Sequence, residues 1–231
     1  MCLVAKIICT LEDKDRHKML YYPLFYNYLE VTMKIAIEGL DGSGKTTVAK
    51  YISKFYNMKY VDKSFKYILS KYHEDTNLSN DEIRQYEKKI CRTNDKLIKT
   101  LYYALGNIYD LRHEENNIVI DRYLGSNYFW NGDFETETIF SVLAKSSSNA
   151  VLTIILYASY NERVKRLKLR NPNDNDLNYD ELQGEPYQKL IEFYKKYNLP
   201  FFVVHVDGKS ISEVNQEVIQ IIEGYKHETS I

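Results

Sequence analysis

The sequence predicts an α/β fold in which helices cover both faces of a parallel β-sheet. Near-continuous apolar runs of strand length recur along the chain, which is typical of strands buried on both faces. Segments of helical periodicity separate these runs, and strands separated by helices indicate parallel pairing through right-handed crossovers. With 231 residues, the chain has a length suited to one such domain.

Five apolar runs are the predicted strands. The first is the alternation of Met33, Ile35 and Ile37, and the others are residues 58–61, 118–120, 151–156 and 201–206. Because the third, fourth and fifth runs are near-continuously apolar, we expect a sheet that lies between two helical layers.

Helical segments fill the intervals between the strands. Val48, Tyr51, Ile52 and Phe55 repeat at helical spacing after the first strand. Ser-x-x-Glu capping boxes at residues 79–82 and 210–213 predict the first turns of two more helices. After the first box, one long helix is predicted, broken near Asn94 or Gly106. Its apolar stripe consists of Ile83, Tyr86, Ile90, Leu97, Leu101, Leu105 and Ile108, and that of the last helix of Val214, Val218, Ile221 and Ile222.

A glycine-rich loop joins the first strand to the first helix. Residues 39–46 read Gly-Leu-Asp-Gly-Ser-Gly-Lys-Thr, which matches the pattern G-x-x-x-x-G-K-[ST]. On a strand-to-helix turn, backbone N–H groups converge on one point that suits the phosphates of a nucleotide such as ATP. The predicted phosphate-binding residues are Gly39, Gly42, Ser43, Gly44, Lys45, Thr46 and Thr47.

Four side chains are predicted to act on the phosphates of ATP or on the phosphate of the acceptor. Lys45 adds a mobile positive charge, and the Thr46 hydroxyl can bind the Mg²⁺ that bridges ATP's β- and γ-phosphates. The third strand ends in Asp121-Arg122-Tyr123, where polar groups line the ligand crevice of a parallel sheet. Asp121 can hold Mg²⁺ through water, and Arg122 can fork onto an acceptor phosphate. An ion pair that closes the strand is the structural alternative for Asp121 and Arg122.

A basic segment after the fourth strand predicts a lid over about residues 161–180. Arg166 and Arg170 are four residues apart on one helix face, and the Asn-Pro-Asn-Asp stretch at 171–174 is typical of a loop. Closure would bring both arginines, as catalytic residues, to the charge that develops on the γ-phosphate. Alternatively, these basic side chains form a solvated helix face without a catalytic role. This second interpretation is preferred for the neighbouring lysines.

The composition argues against several other classes of protein. The net charge of −1 argues against a generally basic nucleic-acid-binding surface. Cys2, Cys9 and Cys91 have no metal-ligand or disulfide spacing, which favours a reduced, cytoplasmic protein. No apolar run reaches the length that spans a membrane. Residues 1–32 precede the enzyme-like pattern and are expected to be an N-terminal extension, either loosely attached or docked through a short helix.

Two segments resemble the thymidylate kinases. Residues 33–47, Met-Lys-Ile-Ala-Ile-Glu-Gly-Leu-Asp-Gly-Ser-Gly-Lys-Thr-Thr, resemble the opening of that family, and residues 121–126, Asp-Arg-Tyr-Leu-Gly-Ser, resemble its D-R-Y-x-x-S segment. The resemblance spans most of residues 33–223. It implies a P-loop kinase domain over residues 33–231, a sheet order of 2-3-1-4-5, and transfer of ATP's γ-phosphate to a nucleoside monophosphate. A homodimer would be compatible with it.

The resemblance also implies an acceptor site. Asp41 would contact the acceptor's sugar or phosphate, and Arg122 would hold the phosphate. Since the loop carries Ser43 and no arginine, stabilisation of charge would fall to the lid. The predicted acceptor-binding residues are Asp41, Asp62, Phe65, Arg122, Asn127 and Trp130.

Two departures from the family pattern concern the acceptor site. The usual A-D-R segment reads Ala-Leu-Gly-Asn at residues 104–107, so Asn107 replaces an arginine that reaches the thymine. The usual R-E-P-G-G segment is replaced by Asp-Lys-Ser-Phe at residues 62–65. An asparagine cannot make the charged bidentate contact of an arginine, so we expect an altered base pocket.

Three functions remain open from the sequence. The first is a nucleoside monophosphate kinase, and the second is a deoxynucleoside kinase in which Asp62 acts as base toward a hydroxyl. The third is a nucleotide-binding module without transfer activity that works as a switch or assembly part. Arg122 favours the first over the second, because a phosphate acceptor needs the guanidinium and a neutral hydroxyl does not.

Overall fold

The computed structural model of the protein describes residues 33–62, 79–113, 117–147, 151–178, 183 and 186–229. The chain divides into two units, Met1–Val31 and Thr32–Ile231, and every described residue belongs to the second. The predictions made for residues 1–32 and for Phe65 therefore lie outside the described residues.

The five predicted strands form one parallel sheet with the order β2-β3-β1-β4-β5, as the resemblance implied. The predicted strand limits differ from the observed limits by one or two residues. The strands are β1 Lys34–Gly39, β2 Lys59–Asp62, β3 Ile118–Asp121, β4 Val151–Tyr157 and β5 Phe201–His205. In register, Ile37 lies opposite Asp121, so the loop that follows β1 opens beside the end of β3.

Helices cover both faces of the sheet, which confirms the predicted three-layer α/β fold. Those in the described part of the chain are α1 Lys45–Phe55, α2 Asn80–Arg92, α3 Lys96–His113, α4 Leu124–Asn131, α5 Glu137–Ser147, α6 Tyr160–Arg170, α7 Tyr187–Lys196 and α8 Ile211–Thr229. A 3₁₀ turn, Asn175–Asn178, follows α6. Among the described helices, none is long and apolar enough to cross a membrane.

Each face of the sheet has its own core. On one face, Ile35 and Ile37 of β1 pack with residues of α1 and α8, such as Ile52 and Val218. On the other face, Ala36 packs with residues of β3, β4 and the helices α3, α4, α5 and α7. Since side chains alternate along β1, the next position on the Ala36 face is occupied by Glu38, a buried carboxylate.

The predicted long helix is two helices. The chain breaks between Arg92 and Lys96, where the Asp95 side chain accepts a hydrogen bond from the Ile98 amide at 2.9 Å. The break is therefore near Asn94, and Gly106 lies within α3. Both predicted capping boxes, at 79–82 and 210–213, are formed.

The predicted apolar stripe of α3 does not face inward. Its leucines 97, 101 and 105 are 42%, 51% and 49% exposed, whereas Thr100, Ala104 and Asn107 are buried. The reason is that α3 packs against α4 through small and polar side chains; Asn127 of α4, for example, donates a hydrogen bond to the Thr100 carbonyl. Helical periodicity located the helix and misjudged its buried side.

Candidate active site

The loop between β1 and α1 requires glycine at two positions. Gly39 has φ +139°, and a Cβ there would lie 2.6 Å from the carbonyl oxygen of Leu156. Gly42 has φ +86°, and its Cβ would lie 2.9 Å from the carbonyl oxygen of Arg163. A side chain is therefore excluded by conformation and by space. The close approach at Gly42 also packs the backbone of α6 directly on the loop.

Tyr187 holds this loop to the sheet. Its buried hydroxyl accepts hydrogen bonds from the amides of Leu40, at 3.3 Å, and Ala158, at 3.1 Å. Tyr187 belongs to no sequence motif and is absent from the predicted site residues. Only the fold brings it to residues so distant in the chain.

Lys45 is buried at the start of α1. Its ammonium group donates a hydrogen bond to the Leu40 carbonyl at 2.7 Å and lies 3.9 Å from Asp41 Oδ1. Burial, and secondarily the nearby Arg122, lower the pKa of Lys45 to about 8, although neighbouring carboxylates oppose the shift. The neighbouring carboxylates therefore do not fully offset the cost of burying the positive charge of Lys45, and an incoming phosphate group would supply further negative charge.

The residues predicted to hold Mg²⁺ lie together. Thr46 Oγ1 donates a hydrogen bond to Asp121 Oδ2 at 2.5 Å, and the Tyr60 hydroxyl donates to the same oxygen at 3.2 Å. Among the described residues, the other carboxylate oxygen, Asp121 Oδ1, is buried without a hydrogen-bond partner. A buried carboxylate oxygen rarely stays unpaired, and a hydroxyl beside a carboxylate suits a hard cation, so these residues fit Mg²⁺.

Arg122 has an unusual backbone conformation. Its φ is +76°, a value that residues other than glycine seldom adopt. The backbone N–H donates to the Ile37 carbonyl at 3.1 Å, and the guanidinium donates to Asp41 Oδ1. Burial alone would lower the pKa of Arg122, but the carboxylates of Asp41, Asp121 and Glu38, Asp41 foremost, together outweigh it and raise that pKa. Arg122 Nε has no hydrogen-bond partner among the described residues, so part of the fork is available to a ligand.

A narrow cleft opens beside this pair. Asp41, Arg122 and Trp130, three of the predicted acceptor-binding residues, line it together with Ser126 and Phe129. The structure therefore brings these three residues together next to the phosphate loop.

Other predicted acceptor residues lie outside the lining of this cleft. The buried Asn127 amide donates to the Thr100 carbonyl at 3.2 Å, which joins α4 to α3, and accepts from Asn131 within α4 at 3.0 Å, so both of its ends are occupied. Asp62 is exposed at the end of β2, in register with Asp121. Acceptor binding by Asn127 and Asp62 stays a prediction.

The two predicted lid arginines have different surroundings. Arg166 donates to the Ser43 carbonyl at 3.2 Å, while its Nε pairs with Glu162 at 2.8 Å. Arg170 is largely exposed and pairs with Asp174 and, at 3.2 Å, with Asp176. Only Arg166 of the two reaches the phosphate loop.

Sequence reasoning missed one buried carboxylate at the site. Glu38 is fully buried at the end of β1, and it accepts hydrogen bonds from the backbone amides of Tyr123 and Ser126, each at 2.9 Å. Burial raises the pKa of Glu38, and the hydrogen bonds oppose that shift. The signal available in the sequence was an acidic residue directly after the apolar residues 35–37 of the same strand.

Comparison with known proteins agrees with this geometry. A thymidylate kinase from Ureaplasma parvum serovar 3 is 24% identical over 213 residues, covering 84% of this chain and 92% of the relative. A probable thymidylate kinase from Methanococcus aeolicus is 27% identical over 199 residues, covering 80% and 93%.

Solved structures show the same fold. Thymidylate kinase from Candida albicans superposes with a TM-score of 0.59 at 20% identity, covering 84% of this chain and 92% of that one. Deoxyadenosine kinase from M. mycoides superposes with a TM-score of 0.51 at 24% identity, covering 83% and 100%. At these identities the likeness establishes the P-loop kinase fold alone.

The sequence profile of the family described as thymidylate kinase matches residues 37–218. That segment contains the phosphate loop, Asp121, Arg122 and the α6 arginines, and its reaction class is phosphoryl transfer from ATP to a nucleoside monophosphate. The chain belongs to the thymidylate kinase family of nucleoside monophosphate kinases.

Proposed function

We propose that the protein transfers the γ-phosphoryl group of ATP, as its Mg²⁺ complex, to the phosphate of a deoxynucleoside monophosphate, with thymidylate as the acceptor. The observation that carries this proposal is the position of Arg122, whose guanidinium lies beside the phosphate loop and in the same cleft as Trp130. A second phosphate is the ligand that a buried guanidinium fork at this place recognises best. The base assignment rests on the family, since thymidylate is the acceptor that gives its members their name, and the altered base pocket expected from Asn107 makes the other monophosphates its competitors in the assay below.

Each side of the reaction has its own residues. On the donor side, Lys45 exchanges its bond to the Leu40 carbonyl for the phosphate oxygens of ATP, and Arg166 neutralises charge at the γ-phosphate. Thr46 and Asp121 would hold Mg²⁺, Thr46 directly and Asp121 through water; the bound cation would neutralise negative charge on the phosphates. These contacts stabilise the charge of the transition state and align the two substrates.

Arg122 and Asp41 form the acceptor side. The unpaired Arg122 Nε offers an N–H to the acceptor phosphate, while the bond to Asp41 keeps the guanidinium in place. Asp41 remains next to the bound monophosphate, where it can accept a hydrogen bond from the sugar. The arrangement would therefore hold the acceptor phosphate oxygen in line with the γ-phosphate.

The test is an assay of nucleosides and nucleoside monophosphates with ATP and Mg²⁺, repeated with Arg122→Met. We expect transfer to thymidylate, and we expect the variant to raise the KM for the monophosphate at least tenfold, on the order of one lost charged hydrogen bond, with the KM for ATP within about twofold. Arg112→Met, at an exposed arginine near the C-terminus of α3, is the matched control and should change neither constant. Equal weakening of both substrates by Arg122→Met would refute the assignment.

A deoxynucleoside kinase remains the second candidate because of Asp62. Its carboxylate stands at the same edge of the sheet as Asp121, in register with it, where it could take a proton from a sugar hydroxyl. This function predicts that nucleosides are phosphorylated, that Arg122→Met leaves the reaction intact and that Asp62→Asn abolishes it. ATP binding without transfer to any acceptor would instead identify a silent nucleotide-binding module.

Homodimer formation and a cytoplasmic location are further proposals from the family alone. Light scattering of the purified chain at micromolar concentration tests the first, and we expect a mass of twice 27.4 kDa. Fractionation of cells that express the chain tests the second.

A further inference from the structure

The Glu38 carboxylate collects four hydrogen bonds at the end of β1. Oε1 accepts from the Tyr123 amide and the Ser126 amide, both at 2.9 Å, and from the Tyr194 hydroxyl at 3.2 Å. Oε2 accepts from the Ser126 hydroxyl. Glu38 is fully buried and Tyr194 is 1% exposed. A buried carboxylate with this many donors is held in one orientation.

Three of these contacts act on the first turn of α4. Tyr123 is the N-cap residue of that helix, and its own side chain makes no capping hydrogen bond. Glu38, which lies on β1, caps the helix instead, because its carboxylate accepts hydrogen bonds from the amides of Tyr123 and Ser126. The Tyr194 hydroxyl accepts a hydrogen bond from the Gly125 amide between them at 3.2 Å. The negative charge also suits the positive end of the helix dipole.

Arg122 directly precedes this capped turn. Its φ of +76° is a strained conformation that persists only where the flanking chain is fixed on both sides. On one side, the Arg122 amide donates to the Ile37 carbonyl. On the other side, the next residue, Tyr123, is fixed by Glu38. The direction of the Arg122 side chain therefore depends on the carboxylate of Glu38.

We propose that Glu38 is the positioning residue of the acceptor site. It caps α4 from β1, holds Arg122 in its strained conformation and thereby aims the guanidinium at the acceptor phosphate. This inference rests on the proposed function, in which Arg122 binds that phosphate. Glutamine should replace Glu38 poorly, because it lacks the negative charge that faces the positive end of α4, and its NH₂ group would force the Ser126 hydroxyl to accept a hydrogen bond where it now donates one.

The experiment compares Glu38→Gln with the wild type in steady-state kinetics against thymidylate and ATP. We expect Glu38→Gln to raise the KM for thymidylate at least tenfold and to leave the KM for ATP within twofold. In an Arg122→Met background the same substitution should add less than twofold, because its effect passes through the arginine. Intrinsic fluorescence of Trp130, the single tryptophan of the chain, provides a direct titration of thymidylate binding in the same cleft.

A second variant and a control separate positioning from stability. Tyr194→Phe removes one donor to Glu38 and keeps the carboxylate, so it should produce the same split of KM values, about threefold to fivefold, even if Glu38→Gln does not fold. Thr136→Val removes a buried hydroxyl that bonds to the carbonyl at the opposite end of α4, Asn131, at 3.1 Å. This control should lower the melting temperature while both KM values stay within twofold.

The outcomes separate a failure of the positioning role of Glu38 from a failure of the proposed function. A wild-type enzyme that phosphorylates no monophosphate overturns both. An active wild type whose Glu38 and Tyr194 variants leave the KM for thymidylate unchanged, or raise both KM values equally, overturns the positioning role alone. Full additivity of Glu38→Gln and Arg122→Met overturns it as well.

Discussion

The charges of Lys45 and Arg122 are set by their burial and by the carboxylates around them. Glu38, Asp41 and Asp121 all raise the pKa of both cations, yet for Lys45 the loss of hydration is larger and its pKa falls to about 8. Arg122, bonded directly to Asp41, keeps its charge. The lysine is thus the group whose charge depends most on bound phosphate.

Lys45→Ala should abolish phosphoryl transfer in a folded protein. Loss of one contact to transferring phosphate costs about a hundredfold or more in rate, on the order of 3 kcal/mol. The folded state should be no less stable at pH 7, because the cost of burying the lysine's charge, present below its folded pKa of about 8, disappears with the side chain. Turnover and thermal melting test this, with the exposed Lys54→Ala on the same helix as control. Near-normal turnover would refute the role of the loop.

ATP binding should weaken at alkaline pH. Since the pKa of Lys45 in the folded protein is about 8, the ammonium loses its proton as the pH rises through that value, and a neutral amine attracts phosphate weakly. We expect the Kd for a non-hydrolysable ATP analogue with Mg²⁺ to rise roughly tenfold from pH 7 to pH 9. Titration calorimetry measures it. Lys45→Arg, which keeps its charge, should give a flat profile, and a flat wild-type profile would contradict the shift.

Residues with a local signature were the predictable part of the site. Lys45, Thr46 and Arg122 belong to short motifs whose chemistry can be read from neighbours in the chain. Glu38 and Tyr187 carry no such signature, because their partners lie 85 and 147 residues away: the Tyr123 amide for Glu38 and the Leu40 amide for Tyr187. Their roles arise only when the sheet and α7 meet.

At the scale of elements, strands were easier to predict than helix faces. Strands β3 and β4 are buried on both sides and appear in the sequence as near-continuous apolar runs, and all five strands were located to within two residues. Helix α3 has two candidate faces, and the polar face with Thr100 and Asn107 is the buried one. Both atoms of the Asn107 amide lack a partner among the described residues, which periodicity alone cannot anticipate.

The lid arginines should differ in their effect on catalysis. Arg166 already contacts the loop, so Arg166→Met should lower kcat about a hundredfold with less than a threefold change in the KM for ATP. Arg170 is paired within the lid, so Arg170→Met should lower kcat less than about tenfold. The exposed Lys168→Met is the control on the same helix. Equal effects of all three substitutions would reduce α6 to an ordinary charged helix.

Closure of the lid should be visible in hydrogen exchange. The segment 160–178 joins a helix that packs on the loop to a turn held by surface ion pairs, and such pairs contribute little to stability. We therefore expect slower amide exchange in this segment when an ATP analogue and thymidylate are both bound than with either alone. Unchanged protection would contradict closure.

At the scale of the whole molecule, we propose that the kinase domain extends from Met33 to the C-terminal helix. The family match begins at residue 37, four residues after Met33, and the chain divides between Val31 and Thr32. Met33 itself is buried, and its backbone nitrogen donates to Asn117 Oδ1 at 3.0 Å, a bond that a terminal ammonium can also make.

A chain that begins at Met33 should therefore fold and keep its activity. The family match begins at residue 37, after this segment, so removal of residues 1–32 should leave kcat/KM for thymidylate within about twofold, a change worth roughly 0.4 kcal/mol. The melting temperature of the truncated chain should stay within a few degrees of the full chain, since about 1 kcal/mol shifts it by only 2–4 °C at this size. Thermal melting and steady-state kinetics of both chains test the prediction. Aggregation of the truncated chain, or a tenfold loss of activity with substrates that the full chain uses, would favour the other interpretation of residues 1–32, a segment docked on the kinase domain.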